Sequence, residues 1–149
     1  MMIKKIITLL IALGLLHHSA SAQTPDPGFQ QHGQYTVHYS IFSSTFILPD
    51  IAKSYNLKRS KNEVLLNIMV AKGDQAGGVP VAIEGTVKNM LQQQKPLKFI
   101  TIDEKDTVYY LAPIRVSNKE IMHFTISTKP EGAQTPLITQ FTKTVYADK

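Results

Sequence analysis

The chain contains no cysteine and no tryptophan. Without cysteine there is no disulfide, no thiol nucleophile and no thiolate-held zinc or iron–sulfur cluster. The lipid-modified cysteine of a bacterial lipoprotein is excluded as well. Long apolar runs are scarce. Ile6–Leu16 is one, about eleven residues, against the roughly 20 needed to span a bilayer. It follows Lys4 and Lys5 and precedes Ser19-Ala20-Ser21-Ala22, the order of a secretory signal cleaved near Ala22. Residues 1–22 are therefore expected to be removed on export to the periplasm, leaving 127 of the 149 residues. No later run approaches membrane length, so no span is expected in the mature chain. Loss of Lys4 and Lys5 lowers the formal charge from +5 to +3, fourteen bases against eleven acids. A domain so weakly basic, outside the cytoplasm, is not built for nucleic acid, whose binding needs many phosphate contacts.

What the chain does have is alternation. Residues 23–33, with two prolines, two glycines and three glutamines, predict a flexible leader or an extended strap. From Tyr35 the apolar positions Tyr35, Val37, Tyr39 and Ile41 recur with the period of two of a half-buried strand. Ser43-Ser44 interrupts this strand, and Thr45–Leu48 resumes extended character. Pro49–Tyr55, with proline at its start and Asp50 in the first turn, predicts one or two helical turns. Val64, Leu66, Ile68 and Val70 give a second strand, and Val79, Val81, Ile83 and Val87 a third. Gly85 in that third strand implies a bulge or a close backbone approach. Asn89–Lys95 reads either way, as a helical turn or a loop, before Pro96. Four more β-rich runs follow: Leu97–Ile102, Thr107–Val116, Ile121–Thr128 and Leu137–Tyr146. Their breaks, at 103–106, 117–120 and 129–132, are short turn sequences that imply antiparallel hairpins. The expectation is an all-β fold for 34–149: an antiparallel two-layer β-sandwich of immunoglobulin-like architecture, seven to eight strands with one short helical turn.

Candidate sites are few. His38 and His123 both fall on the polar faces of their strands, and no HxH or HExxH pattern accompanies them. A shared metal or proton-transfer site would need the two strands to be neighbours; solvated surface positions are the simpler reading. Scattered Met69, Met90 and Met122 raise a copper carrier of the periplasmic type, since thioether and imidazole suit copper(I). With no Met-x-Met or His-x-Met pair among them, core packing is the simpler reading. The acidic stretch 103–106 lacks the glycine and distant glutamate of a calcium loop. No Gly-x-Ser-x-Gly elbow exists, so no catalytic residue is assigned. Lys58-Arg59-Ser60-Lys61 is the densest basic stretch and can meet an anion or a partner; Arg59 can instead tie down an acid or a carbonyl. Tyr109-Tyr110 places one ring inward and one outward.

The run Tyr35-Thr36-Val37-His38-Tyr39-Ser40-Ile41-Phe42-Ser43-Ser44-Thr45-Phe46-Ile47-Leu48-Pro49 resembles a family of small exported gammaproteobacterial proteins of unknown function. Tyr55–Lys61, Asn67 and Val108–Pro113 extend the resemblance over roughly 33–146. It implies a sandwich-like all-β fold and a periplasmic address, and no activity. His38, Ser44, Thr45, Arg59 and Ser60 carry over as a family-specific surface without an assigned role. The expectation is a non-enzymatic binding or protein-interaction module, with no cofactor and no bound metal. Its partner would be an envelope protein or an anionic ligand. A copper-type carrier or enzyme using His38 and His123 is the alternative.

Overall fold

A computed structural model of the chain describes residues 25–149. The expected export signal over 1–22 lies outside them. Among the described residues, nine antiparallel strands form two sheets, one of five and one of four. The strands are β1 (Phe29–His32), β2 (Tyr35–Ser43), β3 (Glu63–Lys72), β4 (Val81–Asn89), β5 (Gln94–Pro96), β6 (Ile100–Glu104), β7 (Thr107–Arg115), β8 (Lys119–Pro130) and β9 (Leu137–Tyr146). The larger sheet runs β1-β2-β3-β7-β6 and the smaller β5-β4-β8-β9. The fold is an all-β sandwich.

The alternating positions face each other across the two layers. Val37, Leu66, Ile68 and Val70 of the larger sheet are fully buried against Phe124 and Ile126 of the smaller. An aromatic column crosses the gap: Tyr39 stacks on Phe141 with centroids 3.9 Å apart, and Phe141 on Phe124 at 4.8 Å. The larger sheet has a second apolar face. Helix α1 (Pro49–Ser54), with proline in its first turn, lays Ala52, followed by Leu57, over Leu65, Ile102 and Leu111. That cover explains why consecutive residues Val64, Leu65 and Leu66 are all buried. Tyr110 points inward, its hydroxyl bonded to the Val81 backbone, while Tyr109 joins the outer cluster.

Several local expectations change. Phe29–His32, assigned to the leader, pairs with Tyr35–His38 as edge strand β1. The strand count rises to nine partly for that reason, and partly because Gln94–Pro96, read as turn or loop, is the short strand β5. Gln92 at φ 63 makes the tight reversal that allows it. The run from Leu97 is divided: Leu97–Phe99 passes from one sheet to the other before β6 begins. Ser44–Phe46 is a 3-10 turn, where an extended segment was expected, because Ser43 caps it through its side chain. The break after β7 crosses between sheets and is no hairpin, since β7 and β8 belong to different sheets. The turn expected at 129–132 comes two residues later, because β8 runs through Pro130.

The register puts Ser43, Asn89, Arg115 and Tyr146 at the same end of the sandwich, with Glu63 and Lys119. The loops of that end hold most of the exposed large apolar side chains. Phe46, Leu48 and Ile51 follow β2, Met90 and Leu91 form the β4–β5 turn, and Ile121 and Tyr146 lie where β8 and β9 meet it. Phe29 and Ile138 are exposed elsewhere. The opposite end carries the glycine turns and five acids, Asp74, Asp103, Glu104, Asp106 and Glu131.

The loop leading to β4 is held tightly against β7. Gly78 donates its N–H to Thr107 Oγ1 at 2.7 Å, and its carbonyl accepts from Val108 N at 3.0 Å. A Cβ on Gly78 would sit 2.1 Å from the Val108 carbonyl oxygen, so backbone must move. Gly85 makes the close approach expected of it, a Cβ there meeting Ile126 Cδ1 at 2.8 Å. Gly78→Ala is expected to destabilise the fold by about 2–3 kcal/mol in urea unfolding. A loss under about 0.5 kcal/mol would show that this approach is not constraining.

Candidate functional site

Two strand edges of the sandwich lie side by side, and a groove opens between them. On the larger sheet, β1 covers only the first half of β2. The last outer bond is from Tyr39 N to Gly28 O, 2.8 Å, and past it residues 40–43 have no strand on that side among the described residues. On the smaller sheet, β9 pairs among the described residues with β8 alone. Backbone N–H and C=O groups alternate along a strand, so both edges present main-chain groups to the gap. The groove has a volume of about 480 Å³, with Ile41, Phe42, Val64 and Val145 as apolar lining and Phe46 and Tyr146 at its mouth.

Each end of this groove is closed by a polar staple. At one, Asp26 accepts from the Tyr39 hydroxyl at 2.6 Å and pairs with Lys143 Nζ at 2.8 Å. Lys143 shares the inward register of Phe141 and Val145, an unusual place for a lysine, which this pairing neutralises. Burial works against the Asp26 charge, but Lys143, Tyr39 and the Gly28 N–H outweigh it and hold the carboxyl below its ordinary 3.8. Burial, then the hydrogen bond that its hydroxyl donates to Asp26, pushes the Tyr39 phenol up to about 12. At the other end, Ser43 Oγ and Thr45 Oγ1 donate to Asp148 Oδ2 at 2.5 and 2.7 Å. These hydroxyls hold the exposed Asp148 carboxyl below its ordinary value. Asp148 N donates to Lys61 O at 2.8 Å, and Lys61 Nζ to Lys149 O at 2.8 Å.

The same end gathers six of the residues singled out in the sequence, Ser44, Thr45, Lys58, Arg59, Ser60 and Lys61. Ser44, 1% exposed, accepts from Ser60 N at 2.9 Å and donates to Ser60 O at 3.0 Å, so one side chain replaces a strand neighbour. Arg59 Nη2 donates to Thr45 O at 3.0 Å, the carbonyl tie rather than an acid pair. Lys58 is exposed beside them. His38 is not part of this group. It lies on the outer face of the five-stranded sheet, 5.9 Å from the Phe29 ring. His123 lies on the outer face of the four-stranded sheet, bonded to Thr142 Oγ1 at 2.7 Å. The sandwich, about 10 Å thick between sheets, separates them. A site shared by the two histidines is thereby excluded. Among the described residues, no group of three or more His, Cys, Asp or Glu is placed to hold a metal ion. The acidic stretch 103–106 is the end of β6 and the two-residue turn into β7. Sequence reading missed Asp26, Lys143 and Asp148, because their partners lie far away along the chain, 105 residues for Ser43 and Asp148 and more still for Asp26 and Lys143.

A family described as a domain of unknown function, DUF4426, matches residues 29–148. The chain belongs to the DUF4426 family. This agrees with the resemblance read from Tyr35–Pro49. The crystal structure of a DUF4426 family protein from Pseudomonas aeruginosa PAO1 is 29% identical, with a TM-score of 0.74 over 81% of this chain and 95% of that one. FetP from uropathogenic Escherichia coli strain F11, recombinantly expressed in the periplasm of E. coli BL21(DE3), is 12% identical at a TM-score of 0.60, covering 81% of this chain and 94% of that one. A copper-bound variant of the same FetP is 13% identical at 0.60, covering 80% and 94%. At such identities the likeness to FetP is one of fold. No curated protein matches the chain. Among the described residues no helix is long and apolar enough to cross a membrane.

The staples have a pH signature. A carboxylate held below its ordinary value stabilises the fold fully above that value and stops doing so as pH falls through the depressed one. Melting temperature is expected to be flat above about pH 5 and to drop below 3.8. The double variant Asp26→Asn, Asp148→Asn should melt lower at pH 7 and show a shallower acid slope. Parallel curves for variant and wild type would remove the staples from the account.

Proposed function

We propose that this DUF4426 protein is a non-enzymatic binding module of the periplasm, and that its groove receives an extended segment of an envelope polypeptide. The observation that carries this reading is the pair of facing strand edges, paired with no further strand among the described residues, on both sides of an apolar floor. An extended peptide satisfies such edges by backbone hydrogen bonding, and its alternate side chains fill the apolar lining. The staples keep the groove from closing: Asp26–Tyr39–Lys143 at one end and Ser43–Thr45–Asp148 at the other. Ser44, Thr45, Arg59 and Ser60 serve this reading by fixing the upper rim, and Lys58 and Lys61 give that rim its positive charge. The export signal read in residues 1–22 supports the compartment. The test is a photo-crosslinking residue at Thr144, on the groove, with the same residue at Asp74, at the far end, as control. Periplasmic irradiation is expected to join position 144, and not 74, to one reproducible segment of one polypeptide. Identical adducts at both positions, or none at 144, would overturn the reading.

A second reading, copper carriage, has one observation in its favour besides the copper-bound FetP variant. His38 stands directly across from Met69 in the β2–β3 register, bringing imidazole and thioether to one outer face. Met69 Sδ accepts from Thr107 Oγ1 at 3.8 Å and would have to turn toward His38. Copper(I) competition against a chromophoric chelator decides it. One equivalent retained by wild type and lost in His38→Ala and in Met69→Leu is the expected result; equal retention by all three removes the pair.

A further inference from the structure

The end of the sandwich beyond the groove has a property that peptide acceptance does not require. Phe46, Leu48 and Leu91 are 76%, 69% and 77% exposed, in two loops that come from different sheets. An isolated exposed leucine is ordinary in a soluble domain, but several large apolar tips at one end are not. The structure links them laterally. Phe46 and Tyr146 border the groove, Lys119 Nζ lies 5.8 Å from the Tyr146 ring centroid, and Lys119 lines the neighbouring hollow with Met90, Leu91 and Ile121. Charge is distributed in the same direction. Lys53, Lys58, Arg59, Lys61, Lys119 and Lys149 crowd this end, where the acids are Asp50, Glu63, Glu120 and Asp148. The far end is acidic, its five carboxylates facing Lys72, Lys105 and Lys129. The molecule is therefore polarised along its strands, apolar and cationic at one tip and anionic at the other.

We infer that this tip docks on the surface of an anionic phospholipid bilayer. Apolar tips interleaved with cations match such a surface: the side chains of Phe46, Leu48 and Leu91 enter the boundary between headgroups and acyl chains while the lysines meet the phosphates. The acidic far end is repelled by the same surface, which fixes the orientation. Arg59 is held by Thr45 O through one nitrogen only, leaving its other donors for a phosphate. Separate apolar tips, rather than one deep cleft, suit a fluid surface better than a single shaped ligand. The inference stands apart from the groove reading, since the tip needs no strand partner.

The experiment is co-sedimentation of the processed protein, purified from the periplasm, with vesicles of phosphatidylethanolamine and phosphatidylglycerol, and with neutral phosphatidylcholine vesicles. Wild type is expected to pellet with the anionic vesicles and to be released by raising salt. Lys58→Glu, Lys119→Glu should lower partitioning about tenfold or more, and Leu48→Ser, Leu91→Ser several-fold. These positions are exposed, so circular dichroism and melting should match wild type. The control Lys105→Glu, Lys129→Glu changes net charge by the same amount at the far end and should leave partitioning unchanged. Soluble glycerol phosphate in excess should not release the protein, since it offers no acyl boundary. Equal binding to neutral vesicles, absence of binding to anionic ones, or equal losses in the tip and far-end variants would each overturn the inference. A groove crosslink at Thr144 in protein that ignores vesicles would sink the membrane contact and leave the groove standing.

Discussion

The structure depends on one packing constraint: the inward side chains of β2 and β3 must interleave with those of β8 and β9 across a single gap. The Tyr39–Phe141–Phe124 column sets that gap, and Val37, Ile68, Val70 and Ile126 fill it with no exposed surface. Fully burying such side chains contributes roughly 1.5–3 kcal/mol each, which makes this the dominant stabilising term in a chain without disulfides. Because Tyr39 and Phe141 belong to strands near the open side of their sheets, the same stack that closes the core brings two edges close together. The groove is a consequence of that closure.

Open edges invite uncontrolled pairing, and this fold restrains them with charge and with short coverings. Lys143 turns inward on β9, where an incoming apolar strand would have to bury its ammonium. Asp26 answers that charge and fastens the segment that leads into β1. At the other end, Asp148 is drawn to Ser43 and Thr45, and Ala147 N to Asn118 O, so the residues after β9 close the rim. What remains between the staples is a short stretch of exposed main chain with a definite length and chemistry. The proposed peptide groove needs that selectivity more than it needs a wide cleft. The polarised tip adds a direction, because its apolar and cationic groups share one end of the strands.

The residues that resembled a family are largely architectural in their contacts. Ser44 and Ser60 join two chain segments by a reciprocal pair of bonds, and Arg59 supports Thr45. Their cluster was visible as a set of unusual residues, although its geometry was not. Nothing local says that Ser44 will meet Ser60 across a helix and a loop. His38 illustrates the opposite case: its strand face was readable from the alternation around it. The strand lying across from it, bearing Met69, was not.

Period-two alternation specified which residues of β2, β3 and β8 face inward, because a strand's side chains must choose between two faces and only one is buried. The proline and acid at Pro49-Asp50 likewise announced the helical turn, and the missing cysteines limited the chemistry. Tertiary structure decided the rest. Whether a short linker makes a hairpin or crosses between sheets, as after β7, depends on which faces still need cover, and that is a property of the assembled layers. Strand β1 exists because β2 offers it an edge, and β5 because β4 does; neither has enough apolar pattern to declare itself. The groove, the staples at Asp26 and Asp148, and the charged apolar tip all join residues distant in sequence. Only the closure of the core places them together.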